Sequence, residues 1–314
     1  MSRRALSLAL RLTVSIGLLA LLALVVAEPR ELLARLAGMR VPMLLAALAL
    51  TAGDRVLMAF KWWILLGARR VAMPLAAAIR AYFASSFAGL FLPVTLGADA
   101  VRVLASRQYG VAEITASIVV ERTLGAVGVV VVALGGCALI AGSLANVALR
   151  PIALAIGAIG AAVGLGFAAS LWIASRWTER PQRSPAPSTL HKLAVAYAAY
   201  AKHPGALTAF FLLSIVESLV PALIAFVTAR GLGLDEPLWL FVAAIPVALM
   251  VARLPVSLGG FGVQEASFVY LAGLLGMGRS DAVATMLVTD AVLVLTLLPA
   301  AFDVSILRQQ RPTT

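Results

Sequence analysis

The sequence predicts an all-α fold: a polytopic integral membrane helical bundle with two inverted repeats and re-entrant or broken helices at Pro/Gly motifs. Two observations indicate the membrane. Of the 314 residues, 62% are apolar and only 12% are charged, and the mean hydropathy is +1.02. Soluble domains are about half apolar and about a quarter charged. A third observation indicates the repeats, because the hexapeptide LPVTLG at 92–97 returns as LPVSLG at 254–259.

Six stretches are apolar over about the 20 residues that a helix needs to cross the hydrocarbon core. These spans are 5–27, 41–60, 114–140, 150–175, 206–229 and 282–305. The first span follows a basic start, so a cleaved signal peptide is an alternative; we favour an uncleaved span because its apolar centre is long enough to cross. Two further stretches, 71–100 and 238–277, each carry one hexapeptide. We therefore expect residues 1–314 to form a single transmembrane domain.

Basic residues near the span ends predict the orientation, because Lys and Arg collect in cytoplasmic loops. The segment 176–204 is long, polar and basic, so it is predicted to be a cytoplasmic loop. Segments 61–70 and 101–113 are also basic and fall on that side, so the stretch between them must enter the membrane and return. The stretch 238–277 does the same from the opposite face. The sequence thus predicts a multi-pass protein integral to the cell (inner) membrane with cytoplasmic N- and C-termini.

The two hexapeptides are interpreted as matched helix breaks, because proline removes a backbone donor and glycine relaxes the steric limits on the chain. The predicted break residues are Pro93, Gly97, Pro255, Gly259, Gly260 and Gly262. A helix that starts at membrane depth points free N–H groups at an anion such as phosphate or carboxylate. The alternative is that Pro and Gly only shape the bend while Thr95 and Ser257 cap helices.

Charged residues within the spans are costly and need partners or water. They are Asp54, Arg55, Arg80, Glu121, Arg122, Glu217, Arg253, Glu265 and Asp290. Their signs nearly balance, so mutual pairing that locks helices together is an alternative to ligand binding. As substrate-binding candidates we take Thr95, Asp99, Arg102, Glu121, Arg122, Arg253, Ser257 and Glu265, with Asp99 in the first turn after the first break.

Four smaller features have simple interpretations. Lys61-Trp62-Trp63 is interpreted as an anchor at the membrane interface. Residues 188–204 are interpreted as an interfacial helix whose lysines face anionic lipid. The GAAVG sequence at 160–164 permits close helix packing, and the single cysteine, Cys137, is assigned to packing. We expect no enzyme, catalytic residue, metal site or cofactor, because the sequence has no His cluster, Walker pattern or G-x-S-x-G turn.

Three stretches resemble a known family: LFLPVTLGADAVRVLASRQYGV, ASIVVERTLG and RLPVSLGGFGVQEASFVYLAGLLGM. They are similar to the flippase-like membrane region of the lysylphosphatidylglycerol synthases, the multiple peptide resistance factor family, and its stand-alone relatives. The likeness extends from about Leu12 to Leu307. Its most specific residues are Pro93, Gly97, Asp99, Arg102, Glu121, Arg122, Pro255, Ser257, Gly260, Gly262 and Glu265.

The resemblance implies a fold that moves aminoacylated phosphatidylglycerol or a related polar lipid between leaflets. The synthases also carry a C-terminal soluble aminoacyltransferase domain, whereas this sequence stops soon after its last predicted span, so we do not expect it to make lysyl-lipid. The leading hypothesis is a flippase-like protein in which Arg102, Arg122, Arg253 and helix N-termini hold the phosphate of an anionic, aminoacylated or glycosylated lipid.

Two alternatives remain. One is an ion-coupled transporter of a small soluble substrate, with Glu217, Glu265 or Asp290 as proton carriers. The other is a non-catalytic accessory subunit of an envelope enzyme that modifies lipid or glycan. The expected partners are accordingly a membrane lipid, an envelope biosynthesis enzyme or a second copy of the chain. Nucleic acid is not expected, because the positive-inside bias of a membrane protein explains the net charge of +11.

Overall fold

The computed structural model describes residues 34–90, 95–143, 150–178, 189–253 and 261–301, and these ranges hold helices and turns without a strand. The all-α prediction is confirmed. The α-helices are α1 (Val41–Ala68), α2 (Leu75–Gly89), α3 (Thr95–Ala105), α4 (Val111–Ser143), α5 (Arg150–Thr178), α6 (Thr189–Ala198), α7 (Pro204–Gly231), α8 (Leu238–Ala252), α9 (Val263–Leu274) and α10 (Arg279–Ala301). Short 3₁₀ turns cover Arg107–Tyr109 and Ala199–Lys202.

Five of these helices, α1, α4, α5, α7 and α10, are long and apolar enough to cross a bilayer. Each overlaps one of the spans marked in the sequence. Helix α1 continues to Ala68, well past the predicted end at residue 60, because the apolar run after Lys61 keeps its helical pattern. The predicted span 5–27 lies outside the described residues.

Three contacts fix the ends of the bundle. At one end, the N–H of Arg40 donates a hydrogen bond to the carbonyl of Gly231 at 2.9 Å, so α1 starts where α7 stops. Arg35 pairs with Asp281 at 3.1 Å, which brings the start of α10 to this Gly231 end. At the other, the Leu65 end, the hydroxyl of Tyr200 donates to the carbonyl of Leu65 at 3.1 Å. Helices α1 and α7 are therefore antiparallel.

Two helical hairpins enter the bundle from these opposite ends. In the first hairpin, α2 follows Met73, whose carbonyl accepts a hydrogen bond from Trp63 Nε1 at 2.8 Å, and Tyr109 after α3 packs in the same apolar cluster. This hairpin opens toward the Leu65 end. The second hairpin, α8 and α9, lies between the last residue of α7 and the first residue of α10, and so opens toward the Gly231 end. The inverted relation between the two halves stays a prediction.

Gly97 lies in the described part of the first hairpin and does not break the helix there. It is the third residue of α3, and Asp99 lies in the second helical turn rather than in the first. In the second hairpin, Gly262 precedes α9 with a φ of 84°, a conformation that favours glycine. The other predicted break and motif residues, Pro93, Pro255, Ser257, Gly259 and Gly260, lie outside the described residues.

Glycines allow α4 to approach its neighbours closely. A Cβ added at Gly136 would overlap the carbonyl oxygen of Ala243 on α8, and one added at Gly160 would overlap the side chain of Val130. The close packing expected from the GAAVG sequence is thus present between α4 and α5. Cys137 is buried in the same apolar cluster, which agrees with a packing role.

Candidate functional site

A buried ion pair between α3 and α4 forms the centre of the candidate site. Arg102 Nη1 donates to both carboxylate oxygens of Glu121, at 3.0 and 2.8 Å, and the hydroxyl of Tyr82 donates to the same carboxylate at 2.8 Å. The Arg102 guanidinium carbon lies 4.9 Å from the ring centre of Trp62 and 4.8 Å from that of Tyr82. The Arg102 side chain is 1% exposed, so these contacts hold it in one position.

Asp99 joins this centre to a second arginine. It accepts hydrogen bonds from Arg102 Nη2 at 3.2 Å and from Arg122 Nε and Nη2 at 3.0 and 2.7 Å. The two-point contact with Arg122 is the strong geometry for a guanidinium and a carboxylate. The Arg122 side chain is nevertheless 44% exposed, whereas that of Arg102 is enclosed. Arg122 is therefore the arginine that can exchange Asp99 for another anion.

A cavity of about 170 Å³ adjoins these residues. Its polar lining residues are Arg55, Arg102, Arg122, Tyr82, Ser85 and Ser86, and its apolar ones are Met58, Leu90, Ala98, Leu293 and Leu297. Arg55 lies near the middle of the 28-residue helix α1, and Leu293 near the middle of the 23-residue helix α10. The cavity is therefore at mid-depth in the bundle.

The cavity wall is cationic, while the matching carboxylates stand behind it. Arg55 pairs with Asp54 at 2.5 Å, and Asp99 and Glu121 neutralise the other two arginines. Within the described part of the chain, the Nε atoms of Arg55 and Arg102 are buried without a hydrogen-bond acceptor. Arginine side chains that line one small cavity suit an anion with several oxygens, such as phosphate.

A second buried network joins α1 to α7. Lys61 Nζ donates to Glu217 at 3.0 Å and to Ser214 Oγ at 3.1 Å, and lies 4.9 Å from the ring centre of Phe210. Lys61 is 3% exposed and Trp62 is fully buried, so the interpretation of these two residues as an interface anchor is wrong. The physical reason is that α1 continues past both residues, so they lie within the bundle and their side chains pack against neighbouring helices.

Sequence reasoning therefore missed Lys61, Trp62 and Tyr82 as parts of the site region. Trp62 is held by a hydrogen bond from its Nε1 to Ser117 Oγ at 2.8 Å and forms one side of the enclosure around Arg102. Only one signal in the sequence pointed to this network. Lys61 and Glu217 are opposite charges in or next to separate apolar stretches, and such charges need partners at membrane depth.

The remaining predicted site residues divide between two places. Arg253, at the end of α8, has an exposed side chain, and its charge interacts with those of Glu217 and Arg122. The structure joins Asp99, Arg102, Glu121 and Arg122 by ion pairs, whereas Arg253 lies outside the described ion pairs. Glu265 instead caps its own helix α9, as described below. Thr95 begins α3, and Arg80 is exposed on α2 outside the cavity wall.

An apolar groove of about 460 Å³ lies between α4, α5 and α6. Val119 and Thr123 form the α4 side, and Gly166 lies on α5. One polar contact joins its walls, between Ser170 Oγ and the hydroxyl of Tyr197 at 2.6 Å. Burial raises the pKa of Tyr197, which keeps this phenol neutral. The groove thus offers an apolar surface on the helix that carries Glu121 and Arg122.

Comparisons with known proteins give one family. Residues 8–301 match the family described as Lysylphosphatidylglycerol synthase TM region, and this match includes every residue of the cavity wall. No curated protein matches the chain.

Proposed function

Because the chain belongs to the lysylphosphatidylglycerol synthase transmembrane-region family of membrane proteins, we propose that it translocates a polar lipid between the leaflets of the bacterial inner membrane. The lipid is anionic, aminoacylated or glycosylated. The single observation that carries the proposal is the cationic cavity at mid-depth, with Arg55, Arg102 and Arg122 on one wall. We propose a transport role and no catalytic one.

The cavity supplies positive charges and hydrogen-bond donors in place of the water that a lipid phosphate loses in the hydrocarbon core. Moving an ion out of water is costly, and the cost falls when opposite charges and donors replace the hydration shell. In a low-dielectric interior, each guanidinium interacts with phosphate more strongly than it would in water. Arg122 makes the first contact because it is the most exposed of the cations whose ion pairs are described above.

Apolar surfaces around the cavity suit the acyl chains. Leu90, Leu293 and Leu297 line the cavity itself, so only part of its wall is polar. The groove between α4, α5 and α6 lies against another face of α4, the helix that carries Arg122. A lipid that places its phosphate in the cavity keeps its chains in contact with apolar side chains or bilayer, which avoids any cost of hydrating them.

The cavity also favours transport over a purely accessory role. A subunit that only supports a partner enzyme requires tightly paired charges and no space between them. Here the ion pairs border a cavity of about 170 Å³, and two buried guanidinium N–H groups have no acceptor within the described residues. Association with an envelope enzyme or with a second copy is compatible with transport and remains a separate proposal.

Liposomes test the proposal directly. The purified full chain is reconstituted with fluorescent or aminoacylated phosphatidylglycerol confined to one leaflet, and appearance of that headgroup in the other leaflet is followed by an impermeant quencher or reagent. We expect faster equilibration than in protein-free liposomes. Equal rates for anionic, aminoacylated and glycosylated lipids in the two preparations would contradict the proposed function.

A further inference from the structure

A pair of carboxyl groups lies at the start of α9, in the second hairpin. Glu265 is the third residue of α9 and is 2% exposed, and its Oε2 accepts a hydrogen bond from the N–H of Gly262. A carboxylate in this position is stabilised by the free N–H groups and the positive end of the helix. Glu265 is therefore held in position by the start of its own helix.

Asp290 faces it from the middle of α10. The two carboxyl groups are close enough to interact, and Asp290 Oδ2 is buried without a hydrogen-bond partner in the described ranges. Helices α1, α2, α7 and α9 pack against α10. They carry Asp54, Arg55, Lys61, Arg80, Tyr82, Glu217, Arg230, Glu265 and Tyr270. Of these groups, Glu265 is the one whose charge acts on Asp290.

Two neighbouring carboxyl groups with no cation paired to them among the described residues cannot both stay ionised in a low-dielectric interior, because their repulsion is barely screened. We propose that Glu265 and Asp290 form a proton-binding site, in which Asp290 takes a proton from water and later returns it. Binding forms an O–H bond on the Asp290 carboxyl and changes the pair from two negative charges to one. The protonated carboxyl can then donate to the Glu265 carboxylate.

The position of Asp290 connects this proton to the lipid cavity. Asp290, Leu293 and Leu297 are spaced at i, i+3 and i+7, so they share one face of α10. The two leucines line the cavity, which places the proton site about one helical turn, roughly 5 Å along α10, from its wall. Loss of the proton makes α9 and α10 repel each other beside the cavity, so protonation favours their close packing.

We therefore infer that proton binding at this pair drives lipid movement. This inference rests on the proposed function and gives the transport its energy source. Only the coupling depends on lipid transport. Proton binding itself is a property of the two carboxyl groups and is measurable without any lipid assay.

Infrared difference spectroscopy of the full chain in nanodiscs tests proton binding. We expect a carbonyl band of a protonated carboxyl group that disappears as the pH is raised, and that is absent in Asp290→Asn. Asn has the shape of the protonated acid and can donate to Glu265, so this variant should fold. Asp281→Asn is the matched control on the same helix, because Asp281 has a cation partner, Arg35, at 3.1 Å. A titrating band that persists in Asp290→Asn, or no such band in the wild type, would overturn the site.

Liposomes with an imposed pH difference test the coupling, with the membrane potential clamped at zero. For one proton per lipid, the steady-state ratio of the lipid between leaflets should shift by about tenfold per pH unit, since one unit of pH is worth about 1.4 kcal/mol. Asp290→Asn should abolish this shift, and the control Asp281→Asn should keep it. A wild type that moves lipid but ignores the pH difference refutes the coupling alone. No movement under any condition, together with an intact carboxyl band, refutes the proposed function and leaves the proton site standing.

Discussion

Arg102 and Arg122 both pair with the Asp99 carboxylate, but their surroundings differ, and we expect their roles to differ as well. Arg102 lies between two aromatic rings and holds both oxygens of Glu121, so it organises α2, α3 and α4 around the cavity. Arg122 bonds to Asp99 alone among the described ion pairs and is 44% exposed. Substitution of the two arginines should therefore separate stability from transport.

Arg122→Ala is expected to slow lipid translocation by about tenfold with little loss of stability. The rate should fall because one charge-assisted contact to phosphate, about 1.5 kcal/mol or more, disappears. Stability should change little because exposed ion pairs contribute about 1 kcal/mol or less. The initial rate in liposomes measures the effect, with Arg80→Ala as the control because Arg80 is an exposed arginine outside the cavity wall. Equal rates in the two variants would remove Arg122 from the proposed site.

Arg102→Ala is expected to destabilise the protein rather than only slow it. The substitution leaves the Glu121 carboxylate buried with Tyr82 as its remaining described donor, and breaking a buried pair from one side costs about 3–5 kcal/mol. Thermal unfolding in detergent or nanodiscs should show a clearly lower midpoint than in Arg122→Ala. If both variants unfold at the wild-type temperature, Arg102 has no organising role.

At the element scale, α4 approaches α8 through a glycine. A methyl group at Gly136 would overlap the Ala243 carbonyl, whereas one at the adjacent Gly135 meets nothing within 4 Å. Gly136→Ala should therefore lower the free energy of unfolding by about 1–3 kcal/mol, the usual cost of overpacking, and Gly135→Ala should not. Thermal unfolding of the two variants measures the difference. A neutral Gly136→Ala would show that α4 and α8 can shift apart without loss.

The helices themselves were readable from the sequence, but their facing sides were not. Long apolar runs predict spanning helices, and α1, α4, α5, α7 and α10 overlap the predicted spans. Helices that are apolar on all sides carry no amphipathic signal that selects the face toward the bundle. For this reason the sequence placed Lys61 and Trp62 at an interface, while tertiary contacts place them inside. Gly97 was predicted as a helix break because glycine weakens helices, but it lies in the first turn of α3.

The candidate site was predicted in part for the same reason. Asp99, Arg102, Glu121 and Arg122 stood out because charges in apolar stretches need partners, and the structure brings them together. Arg55 was recognised as a buried charge but not as part of a binding wall, because its neighbours on α2 and α10 are distant in sequence. Glu265 was grouped with the site on its nearness to a motif, whereas its carboxylate caps α9.

For the whole molecule, the opposite approach of the two hairpins predicts on which membrane face each loop lies. Cys137→Ala removes the single cysteine, after which Arg107→Cys or Arg279→Cys places one thiol at an exposed position beyond α3 or at the start of α10. An impermeant maleimide should label position 107 only from the cytoplasmic face and position 279 only from the opposite face. Labelling of both from one face would contradict the predicted topology and the opposed hairpins.

The sharing of Asp99 also bears on how tightly any cargo is retained. Under the proposed function, a lipid phosphate competes with the Asp99 carboxylate for Arg122, and this competition makes its net binding free energy less favourable. The Asp99 carboxylate can pair with the guanidinium again when the phosphate leaves. Such an arrangement lowers the affinity for the lipid and speeds its dissociation, which suits a transporter that must release each molecule it binds.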